Sequence, residues 1–317
     1  MRAIVSAAIL LTSGGCLPPL PVNAGAWPNL TSTPPEYFNS PPADAADVAD
    51  AVWFEVPRAG EPGFAGGYLS SEPAADLVLV LTGASTYYWG GPPEKARDYH
   101  EGFSAKLRAS GLRTWTLAPR ECGTPWGGGD LADVLSVLDW LDAGGREQLG
   151  ARRVLIVGYS NGGTLACLAS VERRVDAVVA VSGLTSGGQL ERHYAFYQAI
   201  AALYPSNVGL CQLGVTLRAY GPPGAAGWRA LDVVGRVAEL RSPMLVIHGE
   251  QDFVFYTDNA RALEQAHAAA LGEGAVLPEC RFLYVPGLGH FDVLEHPEVL
   301  PRILAFLERY AADEEAR

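Results

Sequence analysis

Apolar residues fall along this chain in short solid blocks separated by amphipathic stretches. Asp76 to Gly83, Arg153 to Gly158, Val175 to Ser182 and Met244 to Gly249 are apolar nearly throughout, the pattern of strands buried on both faces of a sheet. Leu112 to Leu117 and Arg281 to Val285 read as two more, and Ala51 to Val56 and Gly67 to Ser70 as short opening strands. Helical spacing fills the intervals. Lys95 to Ala109 carries it, and so does Asp130 to Leu141, where Leu131, Val134, Leu135, Leu138 and Leu141 share one face. A small-residue helix follows Ser160, a helix capped by Thr257 is expected to run to about Leu271, and Ile303 to Tyr310 predicts a closing helix. Strand and helix alternating in this way imply an α/β fold, a mostly parallel central sheet with helices on both faces. Ligands of such sheets gather beyond the carboxyl ends of the strands.

The alternation breaks twice. From Gly183 to about Arg241 the chain turns aromatic and rich in glycine and proline, with His193-Tyr194-Ala195-Phe196-Tyr197, Tyr220-Gly221-Pro222-Pro223 and Trp228. That is too long for a structureless connection, and it predicts a small helical cap inserted at about 184–241 over the strand ends. The other break is the beginning. Met1-Arg2 is a minimal positive region, Ala3 to Leu11 an apolar run too short to span a bilayer, and Thr12 to Cys16 a small-residue box. This resembles a bacterial lipoprotein signal, which implies lipidation of Cys16 and export to a membrane-anchored place in the cell envelope. Ser13 departs from the leucine usual there, and ordinary secretion with cleavage after Ala24 is the alternative. Residues 17–47 hold repeated Pro-Pro pairs without an apolar period, the composition of a stiff tether. The expected organisation is therefore a signal at 1–16, a tether at 17–47 and one catalytic-sized domain at 48–317.

Composition narrows the partners. Of 317 residues, 49% are hydrophobic and 18% charged, which supports a substantial core. A net charge of −12 argues against nucleic acid and against a purely electrostatic hold on anionic lipid, leaving the N-terminal anchor as the expected membrane contact. Beyond Cys16, the four cysteines 122, 167, 211 and 280 allow three pairings, and their spacing suits no metal site. Cys167 falls on the helix after Ser160 and reads as a small buried residue. No glycine-rich nucleotide loop follows a first strand with a later acidic partner, and no His/Cys cluster suggests a metal, so no cofactor and no metal are expected.

Chemistry enters at Gly158-Tyr159-Ser160-Asn161-Gly162, a Gly-x-Ser-x-Gly set between a strand and a helix. A turn so tight needs glycine at both flanks and lifts the serine hydroxyl clear of the main chain. The helix start behind it offers free N–H groups where negative charge develops on a substrate. Asp252 follows one late strand and His290 the next. A serine hydroxyl becomes a useful nucleophile when a base takes its proton and a carboxylate holds that base in one tautomer. The order Ser160, Asp252, His290 suits that requirement.

With those residues in place, the chain over roughly 50–312 resembles an α/β-hydrolase. The elbow is Gly158 to Gly163, the oxyanion strand and loop Leu77 to Ser85, the acid segment His248 to Asp252 and the base segment Gly287 to Asp292. The resemblance implies Ser160 as nucleophile, His290 as proton shuttle and Asp252 as its orienting acid, with the N–H groups of Asn161 and Ala84 holding the oxyanion. Many members carry His-Gly where this chain has Thr82-Gly83, which bears on Ala84. An acyl or other small-molecule substrate is expected, most simply a carboxylic ester. A peptidase of the prolyl-oligopeptidase type, a thioesterase and an acyltransferase share the same machinery. A non-catalytic binding protein on a hydrolase scaffold is the reading of a different class. Tyr87, Tyr88, Trp89, Phe196 and Tyr197 are candidates for substrate contact, as well as for core. Asp258 and His296 are the weaker substitutes for acid and base; His248, His100 and His267 read as structural or solvent-facing, as does His193, which from the cap is also a candidate for substrate contact.

Overall fold

A computed structural model of the protein describes residues 48–60, 63–83, 92–118, 129–188 and 227–312. Its centre is an eight-stranded sheet. The strands are β1 (Ala51–Pro57), β2 (Phe64–Ser70), β3 (Asp76–Leu81), β4 (Arg113–Leu117), β5 (Arg153–Tyr159), β6 (Ala177–Val181), β7 (Met244–Gly249) and β8 (Cys280–Val285). They lie in the order β1-β2-β4-β3-β5-β6-β7-β8. β1 and β2 pair antiparallel, β2 meets β4 antiparallel, and every pairing from β4 to β8 is parallel. β2 begins at Phe64, earlier than its apolar pattern suggests, because Gly66 and Gly67 interrupt that pattern. A Cβ on Gly67 would stand 2.1 Å from the carbonyl oxygen of Thr116, so the close β2–β4 approach demands glycine there.

The helices among the described residues are α1 (Pro92–Tyr99), α2 (Gly129–Trp140), α3 (Asn161–Glu172), the short α4 (Gly227–Ala230), α5 (Asp258–Gly272) and α6 (Val299–Ala312). α1 continues through a wider turn at His100–Ser104 to Arg108, whereas α2 is followed by a kink in Leu141–Gly145, where Gly144 has φ 118° and ψ −5°, and by a short helical segment to Leu149.

Strand alternation sorts the core into two layers. Leu77, Leu79 and Leu81 of β3, with Val154 and Ile156 of β5, face Val134 and Leu138 of α2, the buried face of α3, and Leu263 of α5. Val78, Val80, Leu155 and Val157 face the other way, onto Phe103, Leu107 and the α6 residues Ile303, Phe306 and Leu307. α3 is buried on nearly every side, which explains its run of small and apolar residues. Cys167 sits there, wholly buried and unpaired, its thiol 3.8 Å from Met244 Sδ and pushed up to about 12 by burial. Cys280 is unpaired as well, while Cys122 and Cys211 lie outside the described residues.

The predicted cap falls partly outside the described residues, at 189–226. Its two ends are visible: Leu184, Trp228, Leu231 and Val233 are buried in the first core layer, so Trp228 is core here. Thr257 stands at the N-cap position that the sequence predicts, but its side chain departs from expectation. It has helical backbone angles and makes no capping bond; its hydroxyl instead donates to the carbonyl of Gly249 at 2.8 Å. That tie fastens the start of α5 to the end of β7, a tertiary demand that outweighs the local capping preference. Among the described residues, no helix is long and apolar enough to cross a membrane.

Candidate active site

At the carboxyl end of β5 the chain reverses into α3 through Ser160, whose φ of 56° and ψ of −118° are unusual for a residue with a side chain. The flanking glycines make the reversal possible. A Cβ on Gly158 would lie 2.0 Å from the Gly162 carbonyl oxygen, and one on Gly162 would lie 2.1 Å from that of Leu81. The Ser160 amide is tied to the Val181 carbonyl at 2.8 Å, which anchors the turn to β6. Asn161 is the first residue of α3, so its N–H belongs to the first turn, where no intrahelical acceptor exists. Its side-chain amide donates to the buried Asp130 at 3.4 Å, at the start of α2.

Asp252 and His290 come from the ends of β7 and β8, which are neighbours in the sheet but separated along the chain. The sheet brings the three side chains together. His290 Nδ1 lies 2.8 Å from Asp252 Oδ2, and His290 Nε2 lies 2.9 Å from Ser160 Oγ. With the carboxylate able only to accept, Nδ1 carries the proton and Nε2 presents its lone pair to the serine hydroxyl. Asp252 Oδ1 also accepts the N–H groups of Val254 and Phe255, at 2.9 and 2.8 Å. The carboxylate thus shapes its own loop as well as holding the histidine. Burial works to raise the Asp252 carboxyl, but hydrogen bonds from His248 and His290, and their charges, hold it well below the usual range.

Aromatic rings close in on His290. Tyr159 lies at 5.5 Å and Phe255 and Phe291 stand edge-on at 5.4 and 5.2 Å, centroid to centroid. The Tyr159 hydroxyl donates to the His290 carbonyl at 2.8 Å, pinning the loop that carries this histidine. Burial keeps that hydroxyl protonated, well above its ordinary range. Phe253 and Phe291 are exposed and form an edge-on pair at 6.2 Å beside the site.

Of the substitutes weighed for acid and base, Asp258 is exposed at the start of α5 and His296 accepts an N–H from Glu298 at 3.4 Å. His267 is buried against the Pro278 carbonyl and His100 under β2, both structural as expected. His248 is different. It is fully buried, with Nε2 at 2.5 Å from the Phe255 carbonyl and 3.2 Å from Asp252 Oδ2. Sequence reasoning missed this contact and that of Tyr159. A histidine four residues before the acid, on a strand end, was the available signal for the first.

Ala84 lies outside the described residues, as do Tyr87, Tyr88, Trp89, His193, Phe196, Tyr197 and Cys16. The preceding Gly83 does lie against Ser160: a Cβ there would be 3.4 Å from Ser160 Cβ. No group of three His, Cys, Asp or Glu side chains among the described residues is arranged to hold a metal ion.

A strained serine at a strand-to-helix turn, meeting a carboxylate-held histidine across a mostly parallel sheet, defines the hydrolase class of α/β proteins. Residues 77–302 match the alpha/beta hydrolase family, and the chain belongs to it. No curated protein matches the chain in sequence. Among solved structures it is similar to an esterase from Pyrococcus furiosus, with a TM-score of 0.62 and 17% identity over 83% of this chain and 93% of that one. It is similar also to a truncated carbohydrate esterase from gut microbiota, with a TM-score of 0.61, 17% identity, and 85% and 98% of the two chains covered. An acylaminoacyl peptidase from Pyrococcus horikoshii gives a TM-score of 0.58 at 15% identity over 84% of this chain and 42% of its own. At these identities the likeness is one of fold.

Proposed function

We propose that the protein is a serine hydrolase that cleaves a carboxylic ester through an acyl-enzyme intermediate. The observation that carries this reading is the hydrogen-bonded run from Asp252 through His290 to Ser160 Oγ. In the forward step, His290 Nε2 takes the hydroxyl proton as Ser160 Oγ attacks the acyl carbon. The imidazolium formed is held by Asp252 and returns its proton to the departing alcohol oxygen. Water then repeats the sequence and releases the acid. The oxyanion is assigned to the N–H of Asn161 and the N–H of Ala84, each donor contributing about 3 kcal/mol in the transition state. Esters are favoured over amides because an alkoxide leaves more readily than an amide nitrogen.

Hydrolysis of p-nitrophenyl acetate tests the reading. Wild type turns over and Ser160→Ala does not; equal rates in the two would overturn it. An acyl chain-length series run beside aminoacyl anilides separates ester from peptide specificity, and faster anilide cleavage would replace esterase by peptidase.

The same reading places the enzyme at a membrane by lipid on Cys16, with residues 17–47 as the spacer. Metabolic labelling of the full chain in a bacterial host with a tagged fatty acid should mark wild type and spare Cys16→Ser. Labelling of both, or of neither, would remove the anchor.

A further inference from the structure

His248 is the penultimate residue of β7 and is completely buried. Its Nε2 faces two acceptors, the Phe255 carbonyl at 2.5 Å and Asp252 Oδ2 at 3.2 Å. Neither acceptor has a proton to give, so Nε2 is the protonated nitrogen. Nδ1 is buried without a partner among the described residues, so the ring's polar contacts run through Nε2 alone. The same Asp252 Oδ2 receives Nδ1–H of His290 at 2.8 Å. His248 Nε2–H is aimed first at the Phe255 carbonyl, yet its nitrogen stands 3.2 Å from the carboxylate oxygen that holds His290, so two imidazoles crowd one oxygen, one leading to Ser160 and the other not.

We propose that His248 is a positioning residue that tunes the base at 290 through their shared acceptor, Asp252 Oδ2. The proposal rests on the hydrolase reading above and deepens it. A second N–H donor withdraws electron density from Oδ2 and weakens its hold on the His290 imidazolium. The shared oxygen also fixes where Oδ2 sits, because Phe255 is held at both its N–H, by Asp252 Oδ1, and its carbonyl, by His248. Asp252 is thereby kept ionised and oriented while its pull on His290 is moderated. The low position of its carboxyl fits a group receiving several donors.

The direction of the effect follows. Removing the His248 donor leaves Oδ2 richer in electrons, strengthens the bond to His290 and favours the imidazolium. Because the base must be neutral to accept the serine proton, the acidic limb of kcat/KM moves to higher pH. The other titratable groups near the pair are Tyr159 on β5, Tyr99 on α1 behind it, and Asp292 and Glu295 in the loop after His290. Both tyrosines are pushed up by burial and stay neutral over this range, and the substitutions leave all four in place.

The test compares two variants in the full chain. His248→Met replaces the donor by an apolar chain of similar length, and His248→Gln keeps an N–H at similar reach. The acidic limb of p-nitrophenyl acetate kcat/KM should rise by about half a pH unit or more in Met and return toward wild type in Gln. A purely structural histidine would lower thermal stability in both and leave the limb where it was, which would overturn the proposal. Should Met not fold, His248→Asn, polar but too short to reach Oδ2, makes the same comparison. If wild type shows no hydrolysis, the ester reading fails by itself. The midpoint of the His290 imidazole, followed by NMR across the same variants, then decides the coupling without substrate: a shift in Met or Asn sustains it, and none ends it.

Discussion

Asp252 is asked to do more than any other side chain near the site, accepting from two backbone amides and from His290 while His248 Nε2 stands 3.2 Å from the same Oδ2. An amide at this position has one acceptor oxygen, and its NH2 would face an N–H donor. Asp252→Asn should therefore fold but lose about 10³–10⁴-fold in kcat, whereas His290→Ala should lose about 10⁴-fold or more, both read from p-nitrophenyl acetate turnover. Wild-type rates in either would remove that residue from the mechanism. A second histidine governs stability instead of chemistry. Burial first, and the nearby Arg108 charge second, bring His100 down from an ordinary 6.5 to about 4. The unfolded chain binds that proton near 6.5, so the contribution is complete above that pH and is lost as pH falls through about 4. The urea midpoint should accordingly be lower at about pH 5 than at about pH 7, and the drop should be smaller in His100→Gln.

Among the elements, the β5–Ser160–α3 unit is where sequence and geometry agree most closely. Glycines at 158 and 162 are dictated by carbonyl oxygens about two ångströms away, a contact no Cβ survives. Gly158→Ala and Gly162→Ala should each cost about 3 kcal/mol or more in denaturant unfolding, or yield insoluble protein. Gly102, in the wide turn after α1, has open space around a Cβ, so Gly102→Ala should be neutral or mildly stabilising. The contrast explains what could be read early. Solid apolar blocks report burial on two faces, so the strands, their order of alternation and the strand-end positions of Ser160, Asp252 and His290 were legible. Thr257 takes the N-cap position that the sequence predicts but not the capping bond, because a cap is a local preference and Gly249, eight residues back, supplies a better acceptor. The wide turn at 100–104 leaves no trace in the sequence because residue spacing near 3.6 does not register one extra residue, whereas the kink at Gly144 is of the kind glycine permits. The contact between His248 and Asp252 escaped because a polar residue on a buried strand carries no mark of the neighbour it will meet.

At the scale of the molecule, the folded unit begins no later than Val48, which is buried with Tyr68 and Ala96. A chain starting at residue 48 should fold and match the full chain in kcat/KM on p-nitrophenyl acetate; a large loss would show that residues 1–47 serve the site. The sheet is locked near its base by Arg153, whose Nε donates to Asp76 Oδ1 at 2.5 Å and whose Nη2 reaches Oδ2, on adjacent strands β5 and β3. Asp76→Ala would leave that guanidinium buried without its carboxylate, at about 3–5 kcal/mol of stability in denaturant unfolding. This lock lies at the opposite strand ends from Ser160, so surviving folded protein should keep its turnover. The central claim, that Ser160 is the activated nucleophile, is tested most directly by mass spectrometry after treatment with a fluorophosphonate. The account predicts one adduct per chain, mapped to the peptide bearing Ser160 and absent in Ser160→Ala and His290→Ala. An unmodified wild-type chain, or an adduct on any other residue, would contradict it.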